Sequence, residues 1–173
     1  PRRLAEAKGW GPDGVNLQMV NSQASAMALI ETGQIDAMTL DPATALQGER
    51  SGKTKITYHF SELLPKFHQY AIYATDDMIA NKPDTLKAFL AGWVETIAYA
   101  RSHKQEAVDS IAAAIGIDKD IVSAVYDQVL SLYSEDGRFD QEAMDILLDS
   151  FVSNGVLDRR PEIGDVTDAS FLP

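Results

Sequence analysis

The chain has 173 residues, 45% of them hydrophobic and 24% charged, with a formal net charge of −11 and no cysteine. That composition supports a real core. The acidic balance argues against a nucleic-acid partner, since phosphate binding relies on Lys and Arg, and against attraction to anionic membranes. The lack of cysteine excludes disulfides, thiolate metal sites and cysteine nucleophiles, and does not separate periplasm from cytosol.

The chain opens inside a predicted helix, Pro1 to Lys8, closed by Gly9. A helix without its beginning reads as a fragment or a trimmed product. No secretory signal opens the chain, and no apolar run approaches the roughly 18 residues of a membrane span. After the loop Gly9 to Gly14, Val15, Leu17, Met19 and Val20 predict a strand over 15–20. Helical spacing of Ala24, Met27, Ala28 and Glu31 predicts a helix over 24–32 with Gly33 as its stop. A second apolar strand is expected over 35–40, ended by Asp41-Pro42. Asp fits an N-cap and Pro the first helical position. This order of strand, helix and strand predicts a right-handed βαβ unit and a parallel sheet.

In such a sheet, ligands bind outside the carboxyl ends of the strands. The turns Asn21-Ser22-Gln23 and Asp41-Pro42-Ala43-Thr44 both lie there, each opening a helix with free N–H groups. The functional reading makes Asn21, Ser22, Gln23, Asp41, Pro42 and Thr44 the lining of a small-molecule site. The plainer one makes Ser22 and Asp41 helix caps, and on βαβ geometry alone it stands slightly ahead.

Alternation of Ile56, Tyr58 and Phe60 with Thr57 and His59 predicts a further strand over 55–59, and Tyr70, Ile72 and Tyr73 one over 69–75. Between them, Leu63, Leu64, Pro65 and Phe67 form an apolar loop suited to walling a cleft. His68 and Gln69 are the polar candidates beside it, for hydrogen bonding to a ligand or for stabilising the loop. Two histidines at 59 and 68, with no HxxH or HExxH pattern, do not make a metal site.

The remainder is predicted helical. The stripe Leu86, Phe89, Leu90, Trp93, Val94 and Ile97 covers 83–101, and helices follow over 105–115, from Asp118 to Leu130, and after Asp140, the last closed by Gly155. The 134–140 loop lacks the ligand spacing of a calcium loop. No G-x-S-x-G, P-loop or G-x-G-x-x-G is present, and no cofactor is expected.

A strand ending in a small polar turn, the helix end Ala28-Leu29-Ile30-Glu31-Thr32-Gly33-Gln34-Ile35-Asp36-Ala37, and a second strand ending in a Pro turn resemble the periplasmic solute-binding proteins of ABC importers, above all the nitrate, sulfonate and taurine group. Phe60 to Thr75, Lys82 to Leu90 and Asp168-Ala169-Ser170-Phe171-Leu172 resemble later segments of that family. The resemblance implies an α/β fold of the periplasmic-binding-protein type (type II) with two lobes. This chain would hold one βαβ lobe plus C-terminal helices: residues 1–70 as the second lobe, and 71–173 as the return strand and helical part of the first. It implies capture of a small solute between lobes, delivery to a membrane permease, a periplasmic or lipid-anchored location, and no enzymatic activity. Enzymes of the same fold in thiamine-pyrimidine or menaquinone pathways, and ligand-sensing domains of transcription regulators, are the alternatives. With its lobe incomplete, the chain is also expected to self-associate.

Overall fold

A computed structural model describes residues 1–11 and 13–173. Its helices are α1 (Arg2–Ala7), α2 (Gln23–Glu31), α3 (Pro42–Arg50), α4 (Asp76–Asn81), α5 (Pro83–Ser102), α6 (Lys104–Ile115), α7 (Lys119–Leu130), α8 (Gln141–Ser153) and α9 (Ile163–Val166), with a 3₁₀ turn at Phe60–Glu62. The chain divides into two compact units, Pro1–Pro65 with Ile115–Val125, and Lys66–Ala114 with Tyr126–Pro173.

Among the described residues there is no β-strand, which overturns the expected α/β fold and its βαβ lobe. The segments 15–20, 35–40, 55–59 and 69–75 run outside any helix or ladder. The reason is partnership. A strand buries its faces and pairs its backbone only through neighbouring elements, and a lone parallel pair has too few of them. Met19 is 97% exposed, and Leu17 and Val20 are also exposed, so most of the first segment's apolar side chains lack a covering layer. In the third, the Ile56 N–H donates to Glu49 Oε1 at 3.0 Å instead of to a neighbouring strand.

The helices form because their ends are written locally. The Ser22 side chain accepts the Ser25 N–H at 3.1 Å at the start of α2, and Asp140 caps α8 through the Ala143 N–H at 2.9 Å. At the other end of α2, Gly33 sits at φ 69°. Its N–H donates to the Ile30 carbonyl and that of Gln34 to the Leu29 carbonyl. This is a Schellman ending, which needs the left-handed backbone that glycine adopts without strain.

In the first unit, α2 and α3 meet at Gly48, which is buried. A Cβ there would lie 2.5 Å from Thr54 Oγ1 and 3.2 Å from Met27 Cε. The chain after α3 folds back on the same residue, since the Lys53 and Thr54 N–H groups both donate to the Gly48 carbonyl. The rest of this core is small side chains, Ala5, Ala26 and Ala43, with Ile121, Val122 and Val125 from the first part of α7.

The second unit is a helical assembly. Leu86 and Ile97 of α5, Val108 and Ala112 of α6, Tyr126 of α7 and Ala143, Met144 and Leu148 of α8 are buried. Tyr126 Oη donates to the Ala100 carbonyl at 2.7 Å, tying α7 to α5. Arg101 donates to the Tyr133 carbonyl at 2.8 Å and the Leu130 carbonyl at 3.4 Å, placing a cation at the carbonyl end of α7. The predicted stripe of α5 is only partly covered. Phe89 is exposed, and Trp93 is 37% exposed with its ring 6.0 Å from that of Tyr133.

Gly48→Ala should lower stability by about 1–2 kcal/mol in urea unfolding, although alanine is the better helix former by about 1 kcal/mol. Thr54→Ala in the same chain should restore most of the loss, because it removes the atom that the new methyl meets; additive effects would place the strain elsewhere.

Candidate ligand-binding site

The two predicted turns come together in the first unit. Ser22 is the N-cap of α2 and Asp41 that of α3, with Pro42 at the first turn of α3. Gln23 Oε1 accepts the Asp41 N–H at 3.4 Å, linking one helix start to the other. Asp41 is fully engaged. Oδ1 accepts the Ala43 and Thr44 N–H groups, each at 3.0 Å, and Oδ2 accepts the Thr44 hydroxyl at 2.7 Å. The N-terminus of α3 is thus closed by its own carboxylate, and Asp41 and Thr44 act as a cap. At α2 the Ser22 hydroxyl serves Ser25. Asn21 is exposed with no hydrogen-bond partner among the described residues, which leaves its amide, with that of Gln23, as the donor supply of the site.

His68 and Gln69 belong to the second unit and have partners there. His68 accepts the Asp140 N–H through Nε2 at 2.9 Å, and its ring stands edge-to-face on Phe139 at 5.1 Å. Gln69 Nε2 donates to Tyr70 Oη at 3.3 Å. Lys66, two residues before His68, bridges Glu142 at 2.6 Å and Asp140 at 3.7 Å. Together these contacts fasten the 66–68 segment to the start of α8. Nothing in the sequence near His68 signals partners more than 70 positions away.

The electrostatics follow from these contacts. The Lys66 ammonium is raised above its ordinary value by its hydrogen bond to Glu142 and by the charge of Asp140. The Asp140 carboxyl is held below the ordinary range by the Ala143 N–H and by Lys66. Asp136, in the 134–140 loop, is lowered by the Arg138 N–H and the Ser134 hydroxyl. Among the described residues no three His, Cys, Asp or Glu side chains gather as metal ligands, and no helix is long and apolar enough to cross a membrane.

An open crevice of about 610 Å³ lies elsewhere in the first unit, lined by Gln47, Arg50 and Ser51 at the end of α3 and by 118–121 at the start of α7. Arg50 lies at the carboxyl end of α3 and Asp120 in the first turn of α7, each where the helix dipole favours its charge. The crevice includes none of the predicted site residues.

The family model described as NMT1/THI5 like matches residues 2–107, more than half of the chain. The chain belongs to that family. The NMT1/THI5-like match takes in both capped turns and the 66–69 segment. The family includes ABC solute-binding proteins and thiamine biosynthesis proteins, and binding of a small molecule is the property it brings to this chain. No curated protein and no solved structure matches the chain.

Depressed carboxyl groups stabilise the fold above their unfolded value of about 3.9 and cease to do so as pH falls through their folded values. Melting temperature should therefore fall as pH drops below about 4. Asp140→Asn keeps a capping side chain without the titration. Its deficit relative to the parent should shrink between pH 6 and pH 2.5, and a constant deficit would show that the Asp140 charge contributes nothing.

Proposed function

We propose that this protein is the solute-binding component of an ABC import system. It would capture a small organic or inorganic solute and deliver it to a membrane permease, and it would work in the periplasm or anchored by lipid outside the cytoplasmic membrane. The observation that carries the reading is the junction of α2 and α3 inside the family-matched region. Two helix starts meet through Gln23 and Asp41, beside an Asn21 amide that the fold does not use.

The chemistry of the junction bears on the ligand. The amino end of α3 is taken by Asp41, so an anion finds only the α2 start and the Asn21 and Gln23 amides. No Lys or Arg lies in either turn. Amide donors without a cation suit a neutral solute, or one whose negative charge is spread over several acceptors.

A biosynthetic role of the thiamine-pyrimidine type is the second reading, favoured by family membership. The lack of cysteine speaks against the version of that chemistry that relies on a cysteine-rich motif.

Isothermal calorimetry and thermal unfolding with nitrate, taurine, an alkanesulfonate, an aromatic carboxylate and an aminopyrimidine test the reading. A true ligand at 100 times its dissociation constant stabilises the fold by about 2.7 kcal/mol. Asn21→Ala should weaken that ligand at least tenfold and leave the melting temperature of the free protein unchanged. Unchanged affinity in Asn21→Ala would remove the junction from the site. Turnover of the pyrimidine would favour the second reading.

A further inference from the structure

The second unit begins at Lys66, and its first residues are held at the start of α8 by a contact that depends on one proton. The Asp140 N–H donates to His68 Nε2 at 2.9 Å. Among the described residues no backbone carbonyl competes for that N–H. The Asp140 carbonyl oxygen lies 3.2 Å from the same ring nitrogen and already accepts the Met144 N–H at 3.0 Å. One nitrogen of a neutral ring cannot accept from the N–H and donate to the carbonyl at once. The shorter contact, to a donor with no other acceptor, makes Nε2 the acceptor. The proton of the neutral imidazole therefore sits on Nδ1.

We propose that His68 is a pH-operated latch, which when neutral fastens the leading residues of the second unit to the start of α8 and when protonated releases them. A proton on Nε2 sets two donors, the ring N–H and the Asp140 N–H, against each other. The backbone group then loses its acceptor, and the ring must turn toward an oxygen.

The charges around the ring do not cancel this mismatch. The Asp140 carboxylate attracts an imidazolium, but it already accepts the Ala143 N–H at 2.9 Å and lies 3.7 Å from Lys66. Lys66 repels a second cation, and its bridge to Glu142 at 2.6 Å keeps it in place. Phe139, edge-to-face with the ring at 5.1 Å, offers no charge. Histidine is the side chain whose charge changes between about pH 5 and pH 8. Carboxylates and ammonium groups titrate outside that interval, and the contacts push Asp140 further down and Lys66 further up. The latch is thus closed on the alkaline side of that interval and open on the acid side.

Nitrogen-15 NMR of the His68 ring in the intact chain at about pH 8 should show a proton on Nδ1 and a bare Nε2. As pH falls to about 5, exchange protection of the Asp140 amide, corrected for its intrinsic rate, should drop at least tenfold. Its midpoint should match that of the ring signals. His68→Gln, whose side-chain oxygen accepts at either pH, should hold the protection constant. His68→Phe, which keeps a ring beside Phe139 and offers no acceptor, should lower it at both. Asp140→Asn retains the N–H and should retain the pH dependence. A proton on Nε2 at about pH 8 overturns the proposal, and so does Asp140 protection that stays steady while the ring titrates. Loss of the pH dependence in Asp140→Asn assigns it to the carboxylate and overturns it too.

Discussion

Every backbone N–H and C=O requires a partner, and among the described residues helices and their caps supply most of them. A helix pairs its backbone within itself, so each helix here is complete wherever its ends are closed. Extended backbone must find its partner in another segment. The result is two units built from capped helices, with extended stretches that carry apolar side chains into solvent at Met19 and Tyr73. The small cores follow from the same division. The first unit buries alanines, the Gly48 contact and Ile121, Val122 and Val125 of α7, and the second buries side chains of α5 to α8 such as Leu86, Ile97, Val108, Tyr126 and Leu148.

That division also explains what could be read from the residues. Helix ends are encoded within a few positions, so Asp41-Pro42, Gly33 and Asp140 marked their boundaries correctly. Strands are encoded by pattern but decided by neighbours. The apolar runs at 15–20 and 35–40 have the composition of strands and, among the described residues, no sheet to join. The stripe of α5 was legible, yet which part of it is covered was not, because that depends on Tyr126, Tyr133 and the other helices. The starts of α2 and α3 are linked by the Asp41 N–H donating to Gln23 Oε1, and not by adjacent strand ends.

The candidate site shows how capping and binding compete for the same groups. Asp41 and Thr44 are residue types that suit a ligand, and both are consumed in closing α3. His68 is consumed in holding α8. What remains for a solute is what the fold leaves idle, chiefly Asn21. A sequence supplies the polar inventory of a site, and the structure subtracts the portion already spent on folding.

The end of the chain offers a different kind of consequence. Gly137 lies at φ 79°, and a Cβ there would come within 2.6 Å of Leu172 Cδ2, so the tail rests on the turn that precedes α8. The Asp168 carboxylate accepts the Ser170 N–H at 2.8 Å and shapes the approach. A fluorophore attached beside Leu172 would sit next to that turn and report its opening.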